Sequence, residues 1–143
     1  MNMKKTTEMW TMVGAGALIA MLLAVAAFAQ GAQFRFFGPL SRIITPNGDS
    51  SKPNGTAIFC FDNPSQSGVN GNIFTLLGSA VATMGPVTAN PAGSICPAGT
   101  LAGSGEFVSW DGRSNGTTVH SGIYVYRITA EEKSYTGTII VVR

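Results

Sequence analysis

Gly105 to Arg143 reads GEFVSWDGRSNGTTVHSGIYVYRITAEEKSYTGTIIVVR, three β-type runs separated by two turn-rich breaks. Ser104 to Trp110 alternates as a strand does. Asp111 to Gly122 is rich in Gly, Asn and Asp, which is loop composition. From Gly122 to Thr129 the residues Tyr124, Tyr126 and Ile128 share one strand face, and Ile123 and Val125 share the other. Glu131, Glu132 and Lys133 form a charged turn before a last run from Tyr135 to Val142. The stretch predicts a C-terminal β-meander.

Upstream, Gln33 to Leu40 is a short apolar run that reads as either a first strand or a linker. Arg42 to Thr45 leads into a turn region from Pro46 to Gly55. Thr56 to Asp62 and Gly71 to Leu77 read as strands, and Ala80 to Met84 pairs with the latter across the Gly78–Ser79 break. Gly85 to Gly105 holds three prolines and five glycines, the composition of a long irregular loop. Beyond residue 29 no helical period is present. The expected fold is therefore all-β, an immunoglobulin-like antiparallel β-sandwich of about seven strands, preceded by an N-terminal hydrophobic signal helix.

Four short motifs carry a resemblance. They are Thr45-Pro46-Asn47-Gly48-Asp49, the block from Asn63 to Gly78, and Trp110-Asp111-Gly112. The fourth runs from Ser121-Gly122 through Tyr124, Tyr126, Arg127 and Ile128 to Gly137 and Arg143. In this order they resemble the bacterial immunoglobulin-like family of flagellar hook-capping proteins and of gliding-motility and type IX secretion C-terminal domains. The resemblance covers residues 42–143. It implies an immunoglobulin-like sandwich in which Pro46, Asn47, Gly48, Asp49, Trp110, Asp111, Gly112, Gly122, Tyr124, Tyr126, Gly137 and Arg143 are structural motif residues. One departure is that the chain has NGDSSKPN where the family pattern has a Gly and an Asp in the loop.

Lys4 and Lys5 precede an apolar stretch from Met9 to Ala29 that ends in Ala27-Phe28-Ala29, an A-x-A cleavage site. Residues 1–29 are read as a signal peptide, 30–41 as a short N-terminal segment and 42–143 as the sandwich. The competing reading is an uncleaved anchor, since the apolar stretch is just long enough to span about 30 Å of hydrocarbon. Gly14, Ala15, Gly16 and Ala17 dilute its hydrophobicity, which favours cleavage. The expectation is an exported protein, in the periplasm, on the cell surface or outside the cell, that meets a membrane only through this segment if it is uncleaved.

The net charge of +2 overstates the basicity of the remainder, because Lys4 and Lys5 belong to the export signal. No electrostatic case for nucleic acid remains. Cys60 and Cys96 are the chain's two cysteines. In an oxidising compartment they read as a disulfide, though their distance is not given by the sequence and two separate thiols are the alternative. With one histidine they fall short of a structural zinc set.

The other candidate chemistry is sparse. His120 with Ser121 and Asp111 would need adjacent residues to face one way, against strand alternation, so a catalytic relay is not expected and the chain is read as no enzyme. Asp111 reads as a turn residue accepting backbone N–H groups. Asn47 and Asp49 are a weak calcium candidate, short of the six to eight oxygens calcium takes, and no other metal or cofactor is expected. Trp110, Tyr124 and Tyr126 read better as core packing than as a carbohydrate platform. Arg127 and Arg143 read as surface residues available for a rim salt bridge with Glu131 or Glu132. Thr138 to Val142 is a β-branched run needing cover on its free side, and Phe34 to Phe37 is the expected cover, from the same chain or from a neighbouring subunit.

These readings converge on a non-catalytic structural or adhesive module at the bacterial cell envelope, with protein partners and self-assembly as one form of its role. A type IX sorting-type domain and a membrane-anchored envelope module are the alternatives.

Overall fold

A computed structural model of the chain describes residues 33–46, 55–90, 95–96 and 105–143. The expected signal helix and the Asn47-Gly48-Asp49 loop lie outside the described residues. Gln33–Arg143 forms one compact unit, all-β, in two sheets and a small hairpin. One sheet orders β1 (Arg35–Pro39), β3 (Ala57–Asp62), β7 (Gly105–Trp110) and β6 (Thr88–Ala89) from edge to edge. The other orders β2 (Ile43–Ile44), β11 (Lys133–Val141), β10 (Gly122–Ala130), β4 (Asn70–Thr75) and β5 (Ala80–Thr83). The hairpin pairs β8 (Arg113–Ser114) with β9 (Thr117–Thr118).

The two sheets face each other through the alternate residues of their central strands. Ala57, Phe59 and Phe61 of β3 and Val108 and Trp110 of β7 supply one inner face. Ile73, Tyr126, Ile128, Ala130, Ile139 and Val141 supply the other. Aromatic rings knit them together: Phe59 and Tyr126 lie 4.9 Å apart between centroids, and Trp110 meets Tyr124 edge-on at 5.5 Å. Packing of Tyr126, Ile128 and Trp110 in the core agrees with the period-two reading of the C-terminal stretch. Burial pushes the Tyr126 phenol above its ordinary pKa, with the nearby Arg42 charge opposing the shift.

Several expectations are corrected. The sandwich does not begin at residue 42, because β1 is built into the four-stranded sheet through pairing with β3. Phe34 to Phe37 therefore does not lie beside Thr138 to Val142. Phe34 and Phe36 turn inward, against Phe61 at 5.1 Å and Tyr135 at 5.2 Å respectively, and that burial holds their strand in the opposite sheet. The free side of β11 is met instead by Ile43–Ile44, which run parallel to Ile140–Val141. Among the described strands this one pairing is parallel in an otherwise antiparallel arrangement. The described strands also outnumber the expected seven, since β2, β6, β8 and β9 are two-residue strands with no period to read.

The strand expected over Gly71 to Leu77 ends at Thr75, and Leu76 and Leu77 sit in the turn, 64% and 95% exposed. Asp111 to Gly122 is not all loop, because Asn115 and Gly116 take φ of 49° and 80° and close the β8–β9 hairpin. Asn-Gly is the preferred pair for such a left-handed two-residue turn. The region from Gly85 to Gly105 likewise contains β6, paired with Glu106 and Phe107.

Candidate interaction surface

The motif residues act as joints of the fold. Asp111 Oδ1 accepts the Arg113 N–H at 3.1 Å, the turn role expected of it, and Trp110 Nε1 donates to the Arg113 carbonyl at 2.9 Å. Gly112 between them has φ +73°, and a Cβ there would stand 2.7 Å from Pro46 Cγ, so the WDG turn closes onto buried Pro46. Tyr124 Oη donates to the His120 carbonyl four residues earlier, at 2.9 Å. Arg143 N–H donates to Ser121 Oγ at 3.0 Å, tying the chain's last residue to the start of β10. His120, Ser121 and Asp111 are thus engaged through separate backbone contacts. Gly122 and Gly137 lie within the β10–β11 ladder. Arg127 does not form the expected rim pair; its guanidinium lies 5.2 Å from the Phe74 ring centroid.

Cys60 and Cys96 form a disulfide with Cα atoms 5.8 Å apart. Cys60 is flanked on β3 by the inward-facing Phe59 and Phe61, so it sits on the outer face of the four-stranded sheet, yet both cysteines are only 1% exposed. The bond therefore fastens the Ile95–Cys96 segment over that face. Asn90 adds to the clamp, its Oδ1 accepting the N–H groups of Ile95 at 3.0 Å and Cys96 at 3.3 Å. A buried disulfide is a feature of oxidising, exported environments.

A polar network closes one end of the sandwich. Asn63 Nδ2 donates to Glu106 Oε2 at 2.8 Å and to the Ser67 carbonyl at 3.0 Å, while its Oδ1 accepts the Ser67 N–H at 2.9 Å. Glu131 Oε2 accepts the Phe34 N–H at 3.0 Å, and Ser67 Oγ approaches Oε1 at 3.3 Å. The Phe34 N–H, ahead of the Ser65 and Ser67 hydroxyls and the Lys133 charge, holds the Glu131 carboxyl below the ordinary glutamate range, with burial opposing. No cluster of three or more His, Cys, Asp or Glu side chains suited to a metal occurs among the described residues.

What faces outward differs between the sheets. On the five-stranded sheet Ile43, Ile140 and Ile123 stand side by side across β2, β11 and β10, each at least 38% exposed. The edges differ as well. β1 carries a bulge between Phe36 and Gly38 and ends in Pro39, and Ser114 Oγ donates to the Val81 carbonyl of β5 at 2.6 Å. Such devices protect a sheet edge. Among the described residues β11 has none over Ser134–Thr138. The exposed apolar row was missed in the sequence, and the free side expected at Thr138–Val142 lies earlier on the strand, because both depend on which strands become neighbours.

No family model, curated protein or solved structure matches the chain. The geometry by itself defines a disulfide-clamped, all-β, two-sheet domain.

Proposed function

We propose that the chain is an exported, non-catalytic, immunoglobulin-like structural or adhesive module of the bacterial cell envelope that works by association with other proteins. The observation that carries this reading is the strand order. A first strand divided between the two sheets, as β1 and β2 are, with β3-β7-β6 opposing β11-β10-β4-β5, supports the immunoglobulin-like reading. The Tyr124–His120 hydrogen bond at the start of β10 supports it, since a tyrosine bonding back to backbone a few residues upstream marks the corner before the corresponding strand of such domains. The disulfide departs from that pattern, joining β3 to a loop where antibody domains bridge their two sheets.

Export is supported by the Lys4-Lys5, apolar and Ala27-Phe28-Ala29 sequence and by the buried disulfide. Association is supported by the exposed Ile43–Ile140–Ile123 row. The test is to fractionate the source cells, measure the intact mass of the protein and cross-link it in place. A chain beginning at Gln30, oxidised at Cys60 and Cys96 and linked to envelope proteins, is the expected result. A cytoplasmic species that retains Met1 and two alkylatable thiols would refute it.

A further inference from the structure

We infer that this domain carries tension between its two ends, and that the first strand, divided between the sheets as β1 and β2, is the clamp that resists it. The inference does not rest on export or on the immunoglobulin-like reading. The two ends of the domain lie at opposite poles of the β10–β11 hairpin. Gln33 Oε1 accepts from Lys133 Nζ at 3.3 Å and the Phe34 N–H donates to Glu131 Oε2 at 3.0 Å, so the domain begins at the closed end of the hairpin. The Arg143 N–H donates to Ser121 Oγ at 3.0 Å, at its open end. Between these poles the ladder of Gly122–Ala130 against Lys133–Val141 runs without a register shift, about 27 Å long at roughly 3.4 Å per residue. A pull on Gln33 and Arg143 therefore acts along the strands.

The direction of the pull decides which bonds resist it. β2 runs parallel to β11, and Ile140 and Val142 donate their N–H groups to the carbonyls of Arg42 at 2.7 Å and Ile44 at 2.9 Å. Tension draws β2 toward the closed end and β11 toward the open end, so these cross-strand bonds are sheared together instead of being opened one after another. Among the described strands the one parallel pairing thus falls where the two ends pull apart. β1 is loaded in the same way. Its pairs with β3, from Arg35↔Asp62 to Pro39↔Phe59, and the Leu40 N–H bond to the Ile58 carbonyl lie across the pull. Sliding β1 along β3 also drags Phe34 from Phe61, 5.1 Å away between centroids, and Phe36 from Tyr135, 5.2 Å away. β3, which takes this load, is stapled at Cys60 to Cys96. The entry point carries its own clip: Glu131 holds the Phe34 N–H from a left-handed position, φ 47°, that is unfavourable for glutamate.

The test is single-molecule force spectroscopy on the full chain, oxidised at Cys60 and Cys96 and carrying His120→Cys, held in two geometries. In one, handle proteins are fused to both ends of the chain. In the other, the handles grip the introduced thiol and the C-terminal end, so that force opens the β10–β11 ladder from Gly122↔Val141 one pair at a time. The first geometry is expected to need the higher unfolding force, although the folded protein is the same in both. Equal forces, or a lower force in the first geometry, overturn the inference. Val142→Pro gives the second arm, because it removes the N–H that the Ile44 carbonyl accepts. Forced unfolding reports the unfolding rate, and one backbone bond lost from the sheared set should shorten the lifetime at constant force by about fivefold in the first geometry. Ser114→Ala, which gives up a bond to the Val81 carbonyl away from this path, controls for a general loss of stability. A Val142→Pro chain that unfolds under load no faster than Ser114→Ala would also overturn the inference.

Discussion

The ring of Tyr126 fills the space that a side chain at Gly137, its cross-strand partner, would need. A Cβ on Gly137 would stand 2.6 Å from Tyr126 Cζ and 2.7 Å from Cε1. The same ring packs against Phe59 and Phe36 of the opposite sheet, with centroids 4.9 and 6.0 Å away. One glycine thus lets one tyrosine reach three strands. Gly137→Ala should destabilise the domain by about 1–3 kcal/mol, the usual range for forcing atoms into a packed site. In a Tyr126→Leu background the same change should be far less harmful, and a double-mutant cycle by urea unfolding measures the coupling. Equal effects in both backgrounds would show that the ring is not what excludes the side chain.

The disulfide gives a second expectation. Replacing both partners, Cys60→Ala with Cys96→Ala, should lower stability by about 2–4 kcal/mol in the chain-entropy account, while the two sheets persist because their core lies in other residues. Protease sensitivity should rise first on the sequence around Ile95, which the bond and Asn90 hold in place. Unchanged cleavage there would mean that other contacts fix the segment.

Glu131 predicts a pH dependence. Its carboxyl is held below the ordinary glutamate range chiefly by the Phe34 N–H. A carboxylate depressed in the folded state stabilises fully above its unfolded pKa of about 4.3. That contribution is lost as pH falls from there through the depressed folded value. Glu131→Gln should therefore be less stable than the parent at neutral pH, and the gap should narrow on acidification below about pH 4. Denaturant midpoints across that range check it; a gap independent of pH would assign the effect to packing.

Much of this architecture was legible in alternation. Tyr126 and Ile128 announce their inward faces in the period of their own strand, and Asp111 announces its turn by residue type. The disulfide was legible from two cysteines and the expectation that the chain is exported. The partners of the strands were not. Phe34 to Phe37 is apolar enough to cover either sheet, and only the cluster with Phe61 and Tyr135 decides between them. Two-residue strands such as β2 have no period at all and exist because β11 offers backbone groups to pair with. The open edge of Ser134–Thr138 is the remainder of that same pairing, so it emerges only with the topology.

The turn at Glu131–Glu132 offers the last expectation. Both residues have positive φ, 47° and 62°, as a tight hairpin between β10 and β11 requires, yet neither is of the Asn, Asp or Gly types that adopt that conformation readily. Glu131 has an evident reason, since its carboxylate holds Phe34 and Ser67. Glu132 is exposed and makes no comparable contact among the described residues. Left-handed backbone costs an ordinary residue about 1–2 kcal/mol, and the greater freedom of glycine in the unfolded chain returns roughly 0.5–1 kcal/mol of that. Glu132→Gly should therefore stabilise the isolated domain by up to about 1 kcal/mol, read as a higher melting temperature at low protein concentration. An unchanged or lower melting temperature would show that the left-handed backbone at Glu132 costs the fold nothing.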